Sequence, residues 1–509
     1  MSKRSQQIDA FFRQGEQLHA AGRMAEAEQV YRQVIAADPR HADALHALGA
    51  LALQAGRPEA ADPLLSQAIA LRPSAAFRLT HAAALTALNQ PAAAAALARQ
   101  VLRAAPNMAA AWQTLGHALC DSGQPADAID AYRHALRLQP ALPDIRNNLG
   151  TALRQAGRLA EAETELRQAP PDPFALVNLS SVQKERAHFA DAEATLDRAL
   201  AIAPGHPVLR YNHALLMLLL GRAKDAWDGW EQRFAAGAVP ARSFAQPQWQ
   251  GEKLNGRTLL VHAEQGLGDT IQFCRYLPEL SGDTVFEAPP RLIRLLGANS
   301  HMPPMVPPGG NPPSFDCVAP LLSLPARGVG PPPTGPYLFA EPDRSAEWRA
   351  RIGPGGFRVG IAWQGFSGRH EDNGRSIPLA AFQPLAAVPG VRLISLQKGE
   401  GEEQLAAAPF PVERLENLDS GPDAFLDTAA AMMALDLIVT SDTSIAHLAG
   451  ALGRPVWVAL RLVPDWRWML DRADSPWYPT MRLFRQLRDG VWPPVFQAIS
   501  DELSRMVPT

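Results

Sequence analysis

Along the first half of the chain, small and bulky apolar residues return in register. Alanines stand at Ala27, Ala61, Ala94, Ala128, Ala162, Ala192 and Ala226, and a bulky residue follows four positions later at Tyr31, Leu65, Tyr132, Leu166, Leu196 and Trp230; only Ala98 breaks the rule. Prolines recur at Pro39, Pro73, Pro106, Pro140 and Pro204, separated by 34, 33, 34 and then 64 residues. Apolar positions four apart share one helix face. A period near 34 predicts helix pairs that bury their apolar faces only against neighbouring pairs. In phase with this pattern come Gly22, Gly56, Gly123, Gly157 and Gly221, placed where a helix end needs a left-handed residue. The array is expected over residues 6–235, presenting a groove that binds a protein partner or else only capping or dimerising the second half.

Beyond the proline-containing stretch Val239–Pro247 the periodicity changes to short apolar runs alternating with helical ones. Strands are expected at 258–262, 284–287, 358–363, 391–396, 435–440 and 456–460, and helices at 270–280, 379–387, 428–434 and 445–452. Such alternation predicts parallel sheets covered by helices. The proline-rich stretch 303–336 reads as an irregular loop, since proline cannot run through a sheet interior. It divides a linker (236–255) and a first Rossmann-like lobe (256–335) from a second (340–509). The fold class is therefore an all-α superhelix followed by an α/β part of two lobes, with ligands expected at the carboxyl ends of the strands.

Composition narrows the function. A chain of 509 residues exceeds one hydrophobic core. A net charge of −3 gives no general attraction to nucleic acid. The three cysteines Cys120, Cys274 and Cys317 are too scattered for a disulfide framework. No apolar core follows Lys3 and Arg4, and the longest apolar run, Ala214–Leu220, is far short of the roughly 20 residues that cross a bilayer. A cytoplasmic protein is expected, with no transmembrane segment.

Three loops could carry chemistry. In the first, Gln265, Gly266 and Gly268 offer backbone amides, and Asp269 opens a helix, where it reads either as an ordinary N-cap or as a cleft-facing base. In the second, a polar turn at 441–444 leads from a strand into a helix, aiming free N–H groups at the cleft, as suits a diphosphate. Thr443 and Ser444 add hydroxyls, Asp442 suits ribose binding or loop bracing, and His447 reads either as buried structure or as a donor. In the third, Arg375 could neutralise charge on a leaving group. Gln397 and Lys398 open toward the same cleft, with Lys398 equally readable as a solvated charge.

Repeat 109–140, with Trp112, Leu115, Gly116, Ala128, Tyr132 and Pro140, resembles the tetratricopeptide repeat. The second half is similar to the bacterial lipopolysaccharide heptosyltransferases. Its first strand leads into the Gly268-Asp269 step, a helix and the pair Leu277-Pro278, and Asp442, Thr443 and His447 match the family's later turn. Ser444 replaces a Gly there, and Arg375 stands where the family has a Lys. That resemblance implies a GT-B fold, Asp269 as the catalytic base, and inverting sugar transfer from a nucleoside-diphosphate sugar to a hydroxyl acceptor, protein or glycan. The order of domains resembles that of O-linked N-acetylglucosamine transferases, whose repeats present protein acceptors. No Asp-x-Asp sequence occurs, so neither metal nor cofactor is expected, and the Walker loop and full dinucleotide fingerprint are missing. The rival expectation is an interaction scaffold whose transferase-like part is inactive.

Overall fold

The computed structural model describes residues 3–330, 335–365 and 374–507. The chain forms two compact units, residues 1–195 and 196–509. The first is helical: α1 (Lys3–Ala20), α2 (Met24–Ala37), α3 (Ala42–Gln54), α4 (Pro58–Leu71), α5 (Ala75–Ala87), α6 (Pro91–Ala104), α7 (Ala109–Asp121), α8 (Pro125–Leu138), α9 (Ile145–Gln155), α10 (Leu159–Arg167), α11 (Pro173–Glu185) and the start of α12 (Phe189–Ile202).

Helices α1, α3, α5, α7 and α9 each pack on the even-numbered helix that follows. Ala27, Ala61, Ala94, Ala128, Ala162 and Ala192 are all fully buried. The reason for the bulky residue four positions on is visible at the crossings. A Cβ on Gly15, Gly49, Gly116 or Gly150 would come within 2.7 Å of Tyr31, Leu65, Tyr132 or Leu166, so bare glycine backbone receives each large side chain. Where the bulky residue is missing, at Ala98, the facing position is Ala82, and both are buried. The left-handed turns fall at Gly22, Gly56, Asn89, Gly123, Gly157 and Ala187, with φ between 58° and 75°. Asn89 and Ala187 complete the series, asparagine being the commonest substitute there and alanine a strained one.

The second unit begins with the rest of α12, then α13 (Pro207–Leu219) and the short α14 (Trp227–Trp230). A first sheet follows, built from β1 (Leu259–His262), β2 (Thr284–Glu287), β3 (Met305–Val306) and β4 (Cys317–Pro320), with α15 (Leu267–Phe273) and α16 (Ile293–Gly297) between strands. Its order is β3-β2-β1-β4, all parallel. After α17 (Pro342–Ile352) come β5 (Phe357–Ala362), α18 (Gln383–Ala386), β6 (Val391–Ser395), β7 (Glu413–Arg414), α19 (Leu426–Met432), β8 (Leu437–Ser441), α20 (Ser444–Ala451), β9 (Val456–Leu460), β10 (Met481–Arg485) and α21 (Pro493–Met506). The second sheet runs β10-β9-β8-β5-β6-β7, again parallel. Its inner strands β8 and β9 are mainly apolar and buried along their whole length, as burial on both faces requires, whereas the edge strand β7 is charged and exposed.

One expectation is overturned. The proline-rich stretch 303–336 is not an irregular loop alone, because it supplies β3 and β4. These are the outer strands of their sheet, where a missing N–H costs no ladder bond on the open side. Residues 331–334 of that stretch lie outside the described residues. The strands β7 and β10 and the helices α17 and α21 are further elements that apolar runs did not mark.

Both sheets reverse their winding direction once. In the second sheet the strands taken in sequence give the doubly wound order, reversing between β5 and β8, and in the first sheet the reversal lies between β1 and β4. Side connections diverge at such a point and leave a crevice at the carboxyl ends of the strands. The loops after β1, β5 and β8 all open there.

Candidate functional site

The loop after β1 is set by backbone geometry. Gln265 adopts a left-handed conformation (φ 61°), and Gly266 is the N-cap of α15. The Gly266 N–H donates to Asp269 Oδ2 at 2.9 Å, so Asp269 is not the N-cap itself but the third residue of the helix, whose carboxylate reaches back to the N-cap amide. Its other oxygen is also engaged: Arg467 Nη2 donates to Oδ1 at 2.6 Å. The Asp269 side chain remains 22% exposed.

Gly268 joins the loop to the second sheet. A Cβ there would lie 3.3 Å from both Ser444 Cα and His447 Cδ2, so α15 and α20 meet at their first turns. Thr443 is the N-cap of α20 and its side chain does not cap the helix; the Thr443 and Thr440 hydroxyls lie 3.2 Å apart instead. Ser441 Oγ, at the end of β8, is buried without a hydrogen-bond partner. Uncapped amides and a positive dipole end thus stand beside Asp269.

His447 is structural in its surroundings. It is buried, its Nδ1 lies 2.9 Å from the Tyr478 hydroxyl, and its ring stacks on Trp468 with centroids 5.2 Å apart. Burial, helped by the Arg467 and Arg275 charges, pushes the imidazole down to about 3, so it stays neutral. Asp442 is half-buried, and burial together with the Asp465 carboxylate raises its carboxyl, while Arg375 and Arg467 oppose the rise. Burial would raise Asp465 as well, but the Arg467 charge and hydrogen bonds outweigh it and hold that carboxyl low. Arg375 is half-buried beside Asp442; the polar loop before it, residues 366–373, lies outside the described residues.

Lys398 is not gathered with these groups. It is exposed at the end of β6 and lines a separate pocket of about 380 Å³ with Gln397, Glu402 and Arg414. Gln397, expected to open toward the cleft, is buried and braces loops: Trp363 N–H and Gln364 N–H donate to its Oε1 at 2.9 and 3.0 Å, and its Nε2 donates to Gln364 and Glu400 carbonyls.

Two arginines went unread in the sequence. Arg467, after β9, is buried and donates from Nη1 to Asp465 at 2.9 Å and from Nε to Gln272 at 2.7 Å, besides holding Asp269. The charged residues of Asp465-Trp466-Arg467 in the loop after β9 were the available signal. Arg233 is fully buried and donates to Glu264 (2.7 Å), Ser323 (2.6 Å) and Glu231 (2.8 Å). It thereby pins Glu264, the residue before Gln265, to the end of β4.

Away from this site, Glu163, His188 and Asp191 bring ligand atoms within 4.8 Å of one another. Arg167 and Arg186 pair with Glu163 there, so positive charge already occupies the cluster. Among the described residues no helix is long and apolar enough to cross a membrane.

The tetratricopeptide repeat family matches residues 18–84 and again residues 114–175. The N-terminal region therefore carries tetratricopeptide repeats. Protein FlbA of Caulobacter vibrioides is 28% identical over 368 residues, 65% of this chain and 60% of its own length. The chain thus spans about three-fifths of that relative. Among solved structures, one from a study of Pseudomonas aeruginosa pilF is 18% identical and covers 40% of this chain and 95% of its own, with a TM-score of 0.35. A tetratricopeptide repeat protein from Parabacteroides merdae is 14% identical and covers 46% and 94%, with a TM-score of 0.40.

Proposed function

We propose that the C-terminal unit is a glycosyltransferase of GT-B type. It moves a sugar from a nucleoside-diphosphate sugar to a hydroxyl acceptor with inversion, while the tetratricopeptide repeats bind a protein partner or the acceptor itself. The observation that carries this reading is the meeting of α15 and α20 at Gly268, which sets the Asp269 carboxylate beside the uncapped start of α20.

In the proposed reaction the acceptor oxygen attacks the anomeric carbon, the bond from that carbon to the diphosphate oxygen breaks, and the electron pair leaves with the diphosphate. Asp269 takes the acceptor proton. A carboxylate has about four lone-pair sites, so bonds from Arg467 and Gly266 leave one on each oxygen. The amides at Ser444 and the charge of Arg375 receive the negative charge as it develops. Arg is chemically adequate for that role.

The test is nucleoside-diphosphate release from a panel of sugar donors, with cell lysate as the source of acceptor. Asp269→Asn is expected to cut turnover by about 10² to 10⁴ while nucleotide binding survives. Turnover equal to that of the parent protein removes Asp269 from the mechanism. A second reading, an interaction scaffold with an inactive transferase-like unit, is favoured by the engagement of both Asp269 oxygens. It predicts no release with any donor and no thermal shift with any nucleoside diphosphate.

A further inference from the structure

Arg467 reaches polar groups of α15 and of its own loop at once. Its side chain is 9% exposed and forks between two carboxylates, Asp269 from the first sheet's loop and Asp465 from its own. Three further bonds fix the fork. Its Nε donates to Gln272 Oε1 on α15, its guanidinium lies 4.4 Å from the centre of the Trp466 ring, and its own backbone N–H donates to Asp465 Oδ1. The carbonyl of Arg467 accepts from Trp477 Nε1 at 2.8 Å, which anchors the backbone as well.

The same two surfaces are tied a second time. Arg275, after α15, donates to the Trp477 carbonyl at 2.7 Å and to the Tyr337 hydroxyl at 2.9 Å, and the Tyr337 hydroxyl donates to the Ile271 carbonyl. That tie holds α15 against the 465–478 segment without touching Asp269. The Arg467–Asp269 bond is therefore not needed to keep the surfaces together, and its effect falls on the carboxylate.

Resting on the transferase reading above, we infer that Arg467 is the positioning residue for Asp269: it fixes which carboxylate oxygen faces the acceptor. The charged and titratable groups around the pair are Asp465 on its own loop, Asp442 and His447 from the β8–α20 turn, Arg375 after β5 and Arg275 after α15. Arg467 is the cation in direct contact.

The experiment compares kcat and KM of nucleoside-diphosphate release by the full chain, Arg467→Gln and Arg467→Lys, with the donor that the panel identifies. In Arg467→Gln kcat is expected to fall by about 10- to 100-fold while KM for the donor stays within about twofold, as when a base is misplaced. Arg467→Lys, which keeps a donor to Asp269 and loses the fork, is expected to recover part of that kcat. Once Asp269→Asn is in place, adding Arg467→Gln is expected to cost far less than it costs alone, as residues acting as one unit do. Folding is checked by near-UV dichroism of each variant. A folded Arg467→Gln protein whose kcat is unchanged, or whose loss adds in full to that of Asp269→Asn, overturns the positioning role and leaves the transferase reading intact. A parent protein with no release from any donor overturns both.

Discussion

Removing the Arg233 guanidinium is expected to destabilise the C-terminal unit more at neutral pH than in acid. Arg233 is fully buried, and its partner Glu264 has a side chain only 4% exposed. Taking away one member of a buried pair leaves the other charge uncompensated, which costs about 3 to 5 kcal/mol. Arg233→Met should reach that range, since Ser323 and Glu231 also lose a donor. The pH dependence follows from Glu264. Burial already lifts its carboxyl above the ordinary range despite Arg233, and without the cation it rises further. A carboxyl raised on folding holds its proton more tightly in the folded state, so its contribution to stability falls as pH climbs from the unfolded value of about 4.3 through the folded one. The variant should therefore lose several kcal/mol at pH 7 and distinctly less at pH 4.5. Adding Glu264→Gln should recover about 2 kcal/mol or more, because the stranded charge is gone. Urea unfolding followed by tryptophan fluorescence reports this unit, as Trp112 alone of the 11 tryptophans precedes residue 196. An Arg233→Met loss below about 1 kcal/mol, or one equal at both pH values, refutes the reasoning.

Three further outcomes are expected. Ala187→Gly should stabilise the repeats by about 1 kcal/mol in urea unfolding read by far-UV dichroism, because Ala187 holds φ 60° where five of the repeats use glycine or asparagine; no gain would show that the turn is not strained. Gly116→Ala should cost about 1 to 3 kcal/mol, since the new Cβ would sit 2.5 Å from Tyr132 Cε1, and an unchanged midpoint would show that the Tyr132 ring yields freely. His447, held neutral down to about pH 3, contributes stability that is present above its unfolded value near 6.5 and lost as pH falls toward 3. His447→Phe should flatten that acid decline, and a parallel decline in both proteins would place its origin elsewhere.

Much of this was legible from residue spacing. The alanines and their bulky partners lie in the repeat cores because i, i+4 spacing fixes one helix face, and the period alone located the helix pairs. Gly116 was marked only as part of the repeat signature, and Gly15, Gly49 and Gly150 went unread, because a pattern along one helix does not say what its partner must lack. Six strands were marked by apolar runs, whereas β3 and β4 were hidden by prolines that edge positions tolerate, and β7, with two exposed polar residues, carries no apolar signal at all. At the site, Gly268, Asp269, Ser444 and His447 were named from their loops and the fold brings them into contact. Arg467 and Arg233 were not, since a lone arginine among aromatics reads as ordinary surface charge until distant carboxylates are seen to meet it. Lys398 and Gln397 show the converse, strand-end residues whose neighbours along the sheet edge, not the sequence, decide which way they serve.

The account turns on amides at the start of α20 receiving a diphosphate. Ser444 is the first residue of that helix, and Thr443 before it is extended (φ −142°, ψ 172°), a conformation that a following proline accepts. Ser444→Pro therefore removes one N–H, with its hydroxyl, while keeping the helix. Calorimetric titration of the full chain with uridine, guanosine, adenosine and cytidine diphosphates should reveal one that binds, and Ser444→Pro should weaken it by about 10- to 100-fold, the worth of a hydrogen bond to a charged group. Failure of all four to bind, or equal affinity in the folded proline variant, would contradict the account.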